Sequence, residues 1–188
     1  MVYIILAPGF EEIEALAPVD ILRRAGAEVT TVGIGGPVVE GSHGIRVETD
    51  VQIDDCAFGA LGMLVIPGGG GGVANIKGCA KTLEAVRKAH ADGKLIGAIC
   101  AGPTVLAGLG MLEGKRALCY PTCEPALKER GAVIASGSCV VRDGNIITAQ
   151  AAGSSIDFGL ALAEALFGTD NAEKVRAAVC YDRGEARA

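Results

Sequence analysis

The chain has 188 residues, half of them hydrophobic and only 4% aromatic, so it suits a single domain, residues 1–188, with a core of Val, Ile, Leu and Ala. A net charge of −5 without a basic cluster argues against nucleic acid as the primary partner, and no apolar run approaches the ~20 residues that span a membrane. Seven cysteines, an odd number with no C-x-x-C, and only His43 and His90 beside them argue against a zinc site and for a reduced, cytoplasmic protein.

Strand and helix signals alternate along the chain. Val2–Ala7 is a short β-rich run, and the N-terminus lacks the basic flank of a signal peptide. Glu11–Ala25 has helical spacing, with Ile13, Leu16 and Ala17 expected to face a sheet and Gly26 to stop it. Glu28–Ile34 follows as a strand, and Gly44–Ile53 holds one or two short ones. Met63–Ile66 is a buried strand closed by Pro67 and the glycines 68–72. Next come a helix over Thr82–Ala91, a strand over Leu95–Ile99, a helix from Pro103 to Leu109, a strand over Ala117–Tyr120 and a short helix over Pro125–Arg130. Ala132–Ile134, Ser138–Arg142 and Asn145–Ala149 read as strands, the last two joined at Asp143-Gly144, before helices over Ser154–Phe167 and Ala172–Val179. This order predicts an α/β fold with a mostly parallel sheet. Ligand sites of such sheets lie at the carboxyl ends of strands. The turn after Ala7, the glycines after Ile66 and Cys100 after Ile99 should therefore meet at one edge.

Cys100 sits where a strand runs into a helix with only Ala101, Gly102 and Pro103 between. That is the layout of a nucleophile elbow, and a helix N-terminus beneath the sulfur would favour the thiolate and lower its pKa. A buried structural cysteine is the alternative. Glu11, Glu12 and Glu14 open the first helix, where acidic residues suit the helix dipole. Glu14, among apolar neighbours, can instead point to the strand ends, where a thiolate alongside would hold it protonated. The glycine run offers backbone N–H groups to an oxyanion or phosphate, or is a flexible turn. Its formal match to G-x-G-x-x-A at 69–74 is weak, with no acidic ribose partner evident. His43 lies in a turn and His90 near a helix end, where a solvent-facing or capping role fits. Neither is near Cys100 in sequence.

Five segments together resemble the ThiJ/PfpI superfamily, in particular its branch around the parkinsonism-associated protein DJ-one. They are LAPGFEEIEALAPVDILRRAG (6–26), LVIPGGGGG (64–72), AICAGPT (98–104), YPT (120–122) and AAGSSIDFGLALAEAL (151–166). The resemblance implies a flavodoxin-like three-layer α/β/α sandwich and a homodimer. It implies Cys100 as the reactive residue, Glu14 as its protonated partner, the Gly69 and Ala101 amides as oxyanion donors, and Arg24 at the dimer interface. Two departures narrow it. Ala101 stands where protease-type members carry histidine after their cysteine, and Tyr120 stands where DJ-one has its histidine.

The activity so implied is a cofactor-free, glutathione-independent glyoxalase or deglycase acting on small reactive carbonyls, linked to oxidative and carbonyl stress. The alternative is a redox sensor or chaperone in which the same cysteine is oxidised.

Overall fold

In the computed structural model, which describes residues 1–182, the last six residues of the expected 1–188 domain lie outside the described residues. The chain runs β1 (Val2–Leu6), α1 (Glu12–Arg24), β2 (Val29–Gly33), β3 (Val38–Glu40), β4 (Arg46–Glu48), β5 (Val51–Gln52), β6 (Met63–Ile66), α2 (Gly70–Gly78), α3 (Ala80–Ala91) and β7 (Leu95–Ile99). It continues with α4 (Pro103–Gly108), β8 (Arg116–Ala117), α5 (Glu124–Lys128), β9 (Val133–Ile134), β10 (Val140–Asp143), β11 (Ile146–Ala149), α6 (Ser155–Phe167) and α7 (Thr169–Ala178).

Seven strands form the central sheet in the order β10-β11-β7-β6-β1-β2-β5. All neighbours pair in parallel except β10 with β11, the expected hairpin. Strands β2, β1, β6, β7 and β11 lie side by side in the doubly wound order of flavodoxin-like sheets. Both faces are covered, which explains why β1, β6 and β11 are buried at every position and why β1 and β6 read as unbroken apolar runs. Tyr3, Ile5, Leu64, Ile66 and Ile96 pack with Val73, Val86 and Leu106 of α2, α3 and α4. Ile4, Leu6, Met63 and Val65 point the other way, onto Val19 and Leu22 of α1 and Phe158 and Leu162 of α6.

Two local expectations need correction, and one strand is additional to those expected. The glycine run is not all loop, because α2 begins at Gly70. Glycine is a poor helix former, but a Cβ on Gly72 would sit 2.7 Å from the Phe10 Cα, so close packing on the chain after β1 demands it. On α1, Ile13 is 57% exposed and Leu16 and Ala17 are half-buried. The inward face is Ala15, Pro18, Val19 and Leu22, so the apolar stripe lies one step round the helix. Finally, β3 was not foreseen after Gly35-Gly36-Pro37. It forms a small antiparallel ribbon with β4, whose connection carries Ser42 and His43.

Candidate active site

Cys100 occupies the sharp turn between β7 and α4 with φ 63°, a left-handed conformation that few L-residues adopt. Its N–H donates to the Ala149 carbonyl of β11 at 3.1 Å, and its carbonyl accepts the Tyr120 N–H at 2.9 Å. The strand end and the loop after β8 thus hold the strained residue on both sides. The backbone N–H groups of Gly69 and Ala101 hydrogen-bond the sulfur.

Glu14 reaches the same point from the first turn of α1. Its side chain is buried, and Oε2 accepts the Gly68 N–H at 2.9 Å. It also hydrogen-bonds Cys100 and the Ala152 N–H. Gly68 must lack a side chain here: a Cβ would overlap the Glu14 carboxylate and come within 2.6 Å of the Cys100 Cβ. The glycine run therefore brings carboxyl and thiol into contact and leaves N–H groups free to point at both.

Burial pushes the Cys100 thiol up to about 12, and the Glu14 charge and hydrogen bond add to the rise. The Gly69 and Ala101 N–H groups oppose it. Burial also pushes Glu14 up to about 7, against the hydrogen bonds from Cys100 and Gly68. The two groups compete for one negative charge in a desolvated pair. The lowered thiol pKa expected from the elbow alone is corrected by this pairing: a six-residue helix does not offset burial beside a second acid. At neutral pH the resting pair is a thiol beside a carboxyl close to half-ionised.

The pair opens into a cavity of about 750 Å3, also lined by Ile13, His43, Ile45, Gly69, Ala101 and Tyr120. Of the residues singled out from sequence, Cys100, Glu14, Gly69 and Ala101 converge here. Arg24 does not line the cavity. It is exposed at the far end of α1 and ion-paired with Asp20 at 2.7 Å. His90 lies in the last turn of α3, half-buried rather than solvent-facing, and does not line the cavity either.

Sequence reasoning missed the pairing of His43 with Glu12. Glu12 is buried, and Oε1 accepts the His43 N–H at 2.7 Å. Oε2 lies 3.0 Å from His43 Nδ1. Burial works against it, yet hydrogen bonds from the His43 ring and from backbone N–H groups, those of His43 and Ile45 among them, hold the Glu12 carboxyl down at about 2. The same contact raises the His43 pKa, with the Glu11 charge adding to it. The partners are 31 positions apart, and only the β3–β4 ribbon folding over α1 brings them together.

The DJ-1/PfpI family model matches residues 1–165. The chain belongs to the DJ-1/PfpI family. Drosophila melanogaster protein DJ-1beta is 37% identical over 173 residues, 92% of each chain. Its crystal structure superposes with a TM-score of 0.91, covering 95% of this chain and 96% of that one. An oxidized Toxoplasma gondii DJ-1 structure gives a TM-score of 0.90 at 33% identity, covering 96% and 97% of the two chains. The Caenorhabditis elegans relative named glutathione-independent glyoxalase DJR-1.2 is 32% identical over 170 residues, 90% of each chain. As in a family of this α/β architecture, the site sits at the carboxyl ends of the parallel strands. No helix of the described residues is long and apolar enough to cross a membrane.

Proposed function

We propose that this family member is a cysteine-dependent enzyme of the glutathione-independent glyoxalase type, acting on small reactive carbonyls such as methylglyoxal. The observation that carries the reading is the contact of Cys100 with the buried Glu14 carboxyl, under two backbone N–H groups aimed at the sulfur. The name of the C. elegans relative supports it.

Cys100 sulfur attacks the aldehyde carbon while Glu14 accepts the thiol proton, and the hemithioacetal forms on the protein itself. The Gly69 and Ala101 N–H groups hold the developing alkoxide. Glu14 hands the thiol proton to that alkoxide and, again a carboxylate, carries the proton from the former aldehyde carbon to its neighbour, while the new hydroxyl's proton passes on balance to the neighbouring carbonyl oxygen. The first carbon becomes a thioester and the second an alcohol, with no outside oxidant. Water cleaves the thioester, releases lactate and restores the thiol. Early glycation adducts, whose C–S or C–N bond breaks reversibly to release the same aldehyde and the free thiol or amine, are a further substrate class for this site.

A homodimer is part of the reading. Ile13 and Ile45, 57% and 52% exposed at the cavity rim, leave an apolar face for a second subunit to cover. The test of function is methylglyoxal loss and lactate formation with wild type, Cys100→Ser and Glu14→Gln. Multiple turnovers abolished by either substitution are expected.

The oxidized form of the T. gondii relative favours a second reading, a thiol sensor. Two equivalents of a peroxide would take Cys100 to the sulfinate, releasing two waters, with protonated Glu14 hydrogen-bonding a new oxygen. No turnover by wild type, with a peroxide-dependent mass gain confined to Cys100, would replace the enzyme by this sensor.

A further inference from the structure

We propose that His43, oriented by the buried Glu12 carboxylate, is the acid that protonates the second oxygen of a 1,2-dicarbonyl substrate held on Cys100. The inference rests on the enzyme reading above and names a residue that this reading does not use.

The geometry is that of an oriented acid–base pair. Glu12 contributes both oxygens to the loop between β3 and β4: Oε1 fixes the His43 backbone and Oε2 fixes the ring through Nδ1. Ser42 Oγ donates to Glu11 at 3.0 Å and to Glu12 at 3.3 Å, which ties the same turn to α1. With Nδ1–H donating to a carboxylate, the working nitrogen is Nε2. The ring is mostly exposed and lines the cavity that holds Cys100 and Glu14. The buried carboxylate thus fixes both the backbone and the ring of one exposed residue on the cavity lining.

The chemistry has a vacancy for such a group. In the hemithioacetal, Glu14 removes the proton from the carbon bonded to sulfur. The electron pair forms a carbon–carbon double bond, and the neighbouring C=O π pair moves onto its oxygen. That oxygen needs a proton, and the Gly69 and Ala101 amides are already engaged with the first oxygen. His43 supplies it from Nε2 and gives a cis-enediol whose two hydroxyls lie side by side. Glu14 returns its proton to the second carbon, the first hydroxyl gives its proton back to Nε2, and the thioester results. Both groups end as they began, and the substrate has only been isomerised.

Two charged groups face His43 from α1, Glu12 and Glu11 at 3.0 and 3.3 Å. Glu14 and Cys100 share the cavity. Both facing carboxylates favour the imidazolium, the form that can act as an acid at neutral pH.

The experiment is methylglyoxal turnover against pH for wild type, His43→Gln, His43→Arg and Cys100→Ser. We expect a bell-shaped wild-type profile, with an acid limb from Glu14 and an alkaline limb from His43. His43→Gln should lose about a hundredfold in kcat with little change in KM, and its alkaline limb should vanish. His43→Arg keeps a positive charge without a transferable proton and should be as slow. Cys100 capture of a simple monofunctional aldehyde, read by mass, should be the same in wild type and His43→Gln. Unchanged turnover and profile in His43→Gln, or full activity in His43→Arg, would overturn the acid role while the enzyme reading stands. Wild type without Cys100-dependent turnover would overturn both.

Discussion

Glu12 and Glu14 are two residues apart on one helix, and both are buried, yet their carboxyls are driven in opposite directions, to about 2 and about 7. Burial opposes ionisation in each. What differs is the company. Glu12 faces an imidazole and several N–H groups, donors whose hydrogen bonds favour the anion. Glu14 faces the Gly68 N–H and a thiol that is itself an acid. Alternate positions on the first turn thus give one permanent charge that organises a loop and one proton that can move. The same helix end supplies a fixed anion and a carboxyl that titrates near neutrality because the glycine run lies on one side of it and the β3–β4 ribbon on the other.

The largest expected effect separates the two residues by activity. Glu14→Gln keeps the size of the side chain but removes the base, and turnover should fall by about a hundredfold or more. Gly68→Ala attacks the same contact from the other side. Its methyl group would separate Glu14 from Cys100, so activity should fall sharply while the central sheet, read by circular dichroism, stays intact. If Gly68→Ala kept wild-type kcat, direct contact between carboxyl and thiol would not be the source of catalysis.

The next effect has opposite sign at the two positions. At pH 8, Glu12→Gln exchanges a fully paired buried anion for a neutral amide and places an NH2 against backbone donors. It should cost on the order of 2 kcal/mol in urea unfolding. Glu14→Gln removes a charge that the folded state disfavours and should stabilise by a similar order. Equal signs for the two substitutions would show that their environments do not differ as described.

The fold was legible in the sequence because its signals are local and redundant. Two-sided burial turns β1, β6 and β7 into apolar runs, and glycines or prolines close them. The elbow at Cys100 was legible for the same reason, since strand, small residues and helix are contiguous. The apolar neighbours of Glu14 point to a carboxyl turned inward. The stripe on α1 was misread because Ile13 and Leu16 look like core residues, and only the packed sheet reveals that Pro18 and Val19 turn inward instead. The direction of the thiol pKa is not legible in sequence because the helix below Cys100 is contiguous with it, whereas the burial that outweighs the helix exists only in the packed fold. Glu12–His43 left no signal at all, because its spacing is set by how far a two-stranded ribbon reaches over a helix end.

The most diagnostic effect is the pH dependence of stability. Glu14 titrates at about 7 when folded and near its ordinary value, about 4.5, when unfolded. Between these values the folded state holds more protons, so stability falls as pH rises from about 4.5 to about 7 and is level above. Glu12 does the reverse. It is held at about 2 when folded, so its contribution is complete above about 4.5 and is lost as pH falls towards 2. For these two groups alone, stability should peak near pH 4.5, with a slope on each side. Urea midpoints measured across pH for the two Gln variants assign the slopes: Glu14→Gln should flatten only the side above the peak, and Glu12→Gln only the side below it. A wild-type midpoint that rose from pH 4.5 to 7 and rose just as much in Glu14→Gln would mean that Glu14 does not carry its proton into the neutral range, and proton transfer to and from Cys100 would then lack its carrier.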